Sequence, residues 1–141
     1  MGARTKARKR ALDMLFIADV RQSTLDEILR EEGERAAAQP QRSSSWPYAH
    51  DIVRGVADNG DAIDRLIESH AVGWSLARMP AVDRAILRVA VWELVHNPDV
   101  PAAVAIDEAV EFATVLSTDE SSGFVNGVLG AIADDLHRSA S

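Results

Sequence analysis

Residues 80–96, PAVDRAILRVAVWELVH, decide how the rest of the chain is read. At 3.6 residues per turn, Val82, Ile86 and Val89 fall on one face of a helix, and Leu87, Val91 and Leu94 on another. A helix apolar over that much of its circumference belongs in the middle of a bundle. Its longest apolar run, AILRVAVW, is broken by Arg88, well short of the roughly 18 residues needed to span a bilayer.

Outward from this helix the apolar spacing stays helical. HNPDVP ends it, and Pro101 opens a helix carrying Val104, Ile106, Val110 and Leu116. The Ser-rich STDESS then leads into a last helix with Phe124, Val128, Leu129, Ile132 and Leu136. Upstream, a short helix around residues 75–78 links to one long amphipathic helix over 47–70, started by Pro47, whose missing N–H is harmless in a first turn. Gly55 and Gly60 would each cost up to about 1 kcal/mol inside it. A polar linker is expected over 36–45. Before it, Thr24 and Glu27 form a capping box for a short helix with Leu25, Ile28 and Leu29. The first helix carries Leu12, Leu15 and Phe16, with Thr5 as its expected N-cap. No stretch alternates as a strand would, so the expected fold is all-α, a bundle of six or seven helices in a single domain.

The chain has 141 residues, enough to bury a core without staples, and no cysteine, which excludes disulfides and thiolate metal sites and fits a reducing cytoplasm. Its basic start is interrupted by Asp13 and Asp19 and so does not read as a signal peptide. The charge is uneven. Arg4, Lys6, Arg8, Lys9 and Arg10 carry five positive charges with no acid among them, although the chain has a net charge of -7. Such a division suggests a polyanion for the arm and a basic partner for the body.

Helix stability does not explain the cluster, because the N-terminal end of a helix dipole is already positive and each added cation there costs roughly 0.3–1 kcal/mol. Arg8 lies on the stripe of Leu12 and Leu15. If that stripe is buried from Leu12 onward, Arg8 is expected beyond the edge of the core, with a first turn projecting positive charge on all sides. Such a turn suits phosphates, and nucleic acid is the natural candidate. A solvated, disordered basic end fits the charge equally well, whereas a helix lying on anionic lipid is disfavoured by Asp13 and Asp19.

Catalysis is not indicated. No glycine-rich phosphate loop is present, and no cofactor or metal is expected. His50, His70, His96 and His137 stand singly, in solvated or capping positions, without metal spacing. Asp107 and Glu108, like Asp134 and Asp135, are adjacent and point apart on a helix, as on a solvated face.

Four stretches in order resemble the NusB family of bacterial transcription antitermination factors over nearly the whole chain: Arg8-Lys9-Arg10-Ala11 with Leu15-Phe16; Val82-Asp83-Arg84-Ala85-Ile86-Leu87-Arg88 with Trp92-Glu93-Leu94; Val100-Pro101 with Ala105-Ile106-Asp107-Glu108-Ala109-Val110; and Phe124-Val125-Asn126-Gly127-Val128-Leu129. The resemblance implies seven helices, a three-helix N-terminal half packed on a four-helix C-terminal half, divided here into a basic arm over 1–10 and sub-bundles over 11–70 and 71–138. It implies binding, together with the ribosomal protein NusE, to the boxA element of ribosomal RNA leaders, and linkage through other Nus factors to RNA polymerase, which then reads through terminators. The module also begins some ribosomal RNA methyltransferases, but here the chain is expected to end with it.

Carried over by position, Arg4, Lys6, Arg8, Lys9 and Arg10 would meet RNA, with Arg88 and Phe124 near the same surface. Phe124 would either stack on a base or pack in the core, and Asn126-Gly127 would serve RNA or close helix packing. Phe16, Asp83 and Glu120 would face NusE. Gly123 and Thr114 depart from the basic residues frequent in the family, which leaves RNA affinity more dependent on the arm. The implied family includes monomers and homodimers. A helical adaptor that binds protein without touching RNA is the alternative.

Overall fold

A computed structural model describes residues 2–140 apart from Ser43; Met1, Ser43 and Ser141, which fall in the expected arm, linker and C-terminus, lie outside the described residues. Among the described residues there are seven α-helices and no strand: α1 (Ala3–Arg21), α2 (Leu25–Ala38), α3 (Trp46–Asp58), α4 (Gly60–His70), α5 (Ala81–His96), α6 (Ala102–Leu116) and α7 (Asp119–Ala140). Helix α5 is the centre expected of it, packing against α1, α3, α4, α6 and α7 and burying Ile86, Leu87, Val89 and Val91. Around it, Ile52 and Val53 of α3, Ile63 and Ile67 of α4, and Leu129 and Ile132 of α7 are fully buried. Each such aliphatic side chain contributes roughly 1.5–3 kcal/mol, most of it offset by lost chain entropy. No helix among the described residues is long and apolar enough to cross a membrane.

Local chemistry explains the boundaries. The Thr24 hydroxyl accepts from the Glu27 N–H, as the capping box required, but α2 runs on to Ala38 and shortens the expected linker. The long helix over 47–70 is two helices. The Asn59 backbone N–H and side-chain amide both donate to the Gly55 carbonyl, at 3.1 and 2.8 Å, closing α3; Asn59 leaves helical geometry at φ -122° and ψ 20°, and α4 restarts at Gly60 to pack on α5 and α7. Gly55 is needed for contact, because a Cβ there would lie 1.8 Å from the Trp92 indole nitrogen. The 75–78 segment is one 3-10 turn, Leu76–Arg78.

Two expectations at the N-terminus fail. Helix α1 starts at Ala3 with Gly2 as its cap, and Thr5 lies inside it and donates to Glu108 instead. Arg8 is not beyond the core. It is 4% exposed, on the same buried face as Ala7, Ala11 and Leu12. Helices α1 and α5 run antiparallel, with Arg8 meeting Glu93 and Asp19 meeting Arg84. The arm therefore sits at the C-terminal end of α5.

Candidate nucleic-acid interface

Near the arm, α1 carries three kinds of cation. Arg8 points inward. Its Nε donates to both Glu93 carboxylate oxygens at 2.9 Å, and a terminal nitrogen donates to Glu108 at 2.8 Å. The Tyr48 hydroxyl also donates to Glu93 and accepts from the Asn97 amide at 3.0 Å. Burial works against the Arg8 charge, but the hydrogen bond and ion pair with Glu93 outweigh it, and its pKa is raised. Burial, reinforced by Glu93, pushes the Tyr48 phenol up to about 12.

Arg4 and Arg10 lie over aromatic rings from the first turn of α3, Arg4 at 4.3 Å from the Tyr48 centroid and Arg10 at 5.4 Å from that of Trp46. Arg10 also donates to the Ser45 hydroxyl at 2.9 Å. Lys6 is exposed, and Lys9 is half-exposed in a pair with Asp13 at 2.8 Å, one helical turn on. Lys6, Lys9 and Arg10 line a groove with Arg35 of α2, four cations against two acids, Asp13 and Glu32, which pair with Lys9 and Arg35. Arg4 faces a second groove, where Asp51, Asp58 and Asp99 outnumber Arg4 and Arg54. The surface favourable to a polyanion is thus the side of α1 turned toward α2.

The remaining candidates do not join the arm. Arg88 pairs with Asp64 at 2.9 Å and reaches Asp19 at 3.7 Å, tying α4 and the end of α1 to α5. Phe124 packs at the edge of the core 6.3 Å from the Trp74 ring, beside Met79, Pro80 and Glu120, while Val125 occupies the buried stripe of α7. This cleft adjoins Asp83, ten residues and about 15 Å along α5 from Glu93. Because α1 and α5 are antiparallel, Phe124 and Arg88 stand along α5 from the arm, toward its other end, rather than beside it. Asn126 is exposed on α7, and a Cβ at Gly127 would meet nothing, so that glycine does not serve close packing.

Of the partner-facing candidates, Phe16 is 37% exposed on α1 and Glu120 is exposed at the rim of the cleft. Asp83 is buried and accepts from the Ser117 and Ser121 hydroxyls at 2.6 and 2.9 Å, so it shapes the cleft from beneath. Glu108 is likewise no solvated acid, being taken up by Arg8 and Thr5. His70 takes the capping role: its Nδ1 meets the Leu66 carbonyl at 2.8 Å in the last turn of α4, while its Nε2 bridges to Asp135 of α7. Sequence reading missed Trp46, Tyr48, Trp74 and Glu93. A signal for Glu93 was present, since it continues the apolar Val82, Ile86, Val89 stripe, where an acid requires a buried cation, and Arg8 stood on the buried stripe of α1.

Fold and surface together define an all-helical protein with a basic helix end and, at the other end of its central helix, an aromatic cleft. The sequence model of the NusB family matches residues 5–134, and the chain belongs to that family. It is similar to the transcription antitermination protein NusB of Leifsonia xyli, with 64% identity across 98% of this chain and 96% of that one, and to that of Clavibacter sepedonicus, with 57% identity across 94% and 97%. Among solved structures it resembles T. maritima NusB at TM-score 0.81 and 34% identity, covering 94% of this chain and 91% of that one. It also resembles a chain from antitermination factors NusB and NusE in complex with double-stranded RNA, at 0.81 and 27%, covering 94% and 97%.

Proposed function

We propose that this chain is a transcription antitermination factor that binds boxA-type RNA of ribosomal RNA leaders together with NusE, and so helps RNA polymerase read through terminators in the cytoplasm. It works as one domain and as an adaptor, not as an enzyme. The observation that carries the reading is the set of cations that α1 leaves outside the core, Lys6, Lys9 and Arg10 in the groove toward α2 and Arg4 on the other side of the helix tip, in a chain otherwise rich in acids. Arg8, turned inward, is left out of the RNA-binding set. Phe124, Asn126 and Glu120, with Phe16 on α1, are assigned to the far end, where a bound strand would meet the protein partner.

Four phosphates neutralised on single-stranded RNA give a slope of log K against log salt of about -3. RNA binding measured for the protein alone, for NusE alone and for the two together tests the proposal: cooperative binding with that slope is expected, and a flat salt response would overturn it. The second reading, an adaptor that binds protein only, draws on the Trp74 and Phe124 cleft. It predicts a complex with NusE but no gain in RNA affinity over NusE alone.

A further inference from the structure

We infer that the RNA-facing side of α1 is ordered before RNA arrives, and that Glu93, Tyr48 and Trp46 are the positioning residues that hold it. The inference rests on the reading of α1 as RNA-contacting. Left to itself, this helix end should fray. Gly2 gives no side-chain cap and the first turn has no acid. Arg4 and Arg8, like Lys6 and Arg10, are like charges one turn apart.

Against this stand ties from three other helices. Tyr48 and Trp46, two residues apart in α3, lie beneath Arg4 and Arg10, which are six residues apart on α1. Glu93 of α5 holds Arg8 from below, and Glu108 of α6 takes both Arg8 and Thr5. The ties use the inner face of the helix and the undersides of the two guanidinium groups. Lys6 stays exposed and Lys9 half-exposed, beside Arg10 in the groove toward α2. A surface held in its binding form loses no affinity to ordering, because the apparent Kd is the intrinsic Kd divided by the competent fraction.

Glu93→Gln gives a sharp test, since Coulomb's law and the positioning role predict opposite results. Removing a negative charge beneath a basic surface should tighten RNA binding, whereas releasing the arm should weaken it. In the wild-type chain without RNA, backbone amides 6–10 are expected to exchange about 100-fold more slowly than in an unstructured chain. Glu93→Gln should raise that exchange and weaken boxA RNA binding, each by about tenfold, with the salt slope unchanged because the same phosphates are engaged once bound.

Should Glu93→Gln fail to fold, Tyr48→Phe keeps the ring beneath Arg4, removes the hydroxyl that donates to Glu93 and accepts from Asn97, and should shift both readouts the same way by about threefold. Wild-type amides exchanging at the free-chain rate would overturn the inference, as would Glu93→Gln binding RNA more tightly or Tyr48→Phe leaving affinity unchanged. A Lys6→Ala, Arg10→Ala chain that binds RNA like wild type would instead overturn the RNA reading and leave the exchange result standing.

Discussion

The two ends of α5 each bury a carboxylate, and they handle it differently. Asp83 lies in the first turn, where the helix dipole favours an anion, and two neutral hydroxyls from Ser117 and Ser121 complete its hydrogen bonding. Glu93 lies in the last turn, where the dipole opposes an anion, and it draws in the guanidinium of Arg8 and the phenol of Tyr48. One end therefore needs no cation and opens an aromatic cleft. The other pulls the start of α1 into the core and fixes its remaining cations around the contact. Position along a helix decides which buried acid requires an ion pair.

The largest effect is expected where that ion pair is broken. Arg8→Ala leaves Glu93 buried without its cation and should lower stability by about 3–5 kcal/mol. For a chain of this size that is a fall in Tm of about 10 °C or more, readable by thermal melts. Ser121→Ala removes one hydroxyl from Asp83 while Ser117 and the dipole remain, and should lower stability by about 1.5 kcal/mol. Equal losses at the two sites would break the contrast between the ends.

High pH should separate the ends again. The Tyr48 phenol titrates near 12 in the folded chain and near 10 when unfolded. The unfolded chain thus gives up its proton first as pH rises. The contribution of the neutral phenol is complete below pH 10 and fades as pH climbs toward 12. Tyr48→Phe should flatten that alkaline fall in denaturant midpoints, and Ser121→Ala should not.

Much of this contrast was written in the sequence, but not its geometry. Periodicity was enough for the all-α class and for the central place of α5, because a two-faced apolar pattern has few other homes, while the count of seven helices came with the family resemblance. The Thr24 cap was legible because it acts within one turn. The break at Asn59 was not, since it is a change of backbone direction at a single residue within an unbroken apolar period. Arg8 shows the deeper limit. Its place on the stripe of Leu12 and Leu15 was visible, yet a guanidinium was expected to stay outside, and only the facing of Glu93 on a second buried stripe reverses that. Phe124 and the arm were grouped by family resemblance, while their separation comes from the antiparallel packing of α1 on α5.

The smallest stability effects should fall on the two exposed surfaces, and there function sharpens the comparison. Lys9→Ala loses only a partly exposed pair with Asp13, and Trp74→Ala truncates a ring that is 51% exposed, so Lys9→Ala should stay within about 0.5 kcal/mol of wild type and Trp74→Ala should change little more. Their binding phenotypes should not resemble each other. Lys9→Ala should reduce the magnitude of the RNA salt slope by about 0.7, the share of one phosphate, and leave NusE affinity alone. Trp74→Ala should keep the slope and weaken NusE binding, because half of an aromatic surface beside Phe124 is lost from the cleft. Titrating both variants against RNA and against NusE tests the proposed division of the ends: charge for a phosphate chain at one, apolar area for a protein at the other. If both variants changed both affinities, the two ends would be parts of one continuous surface.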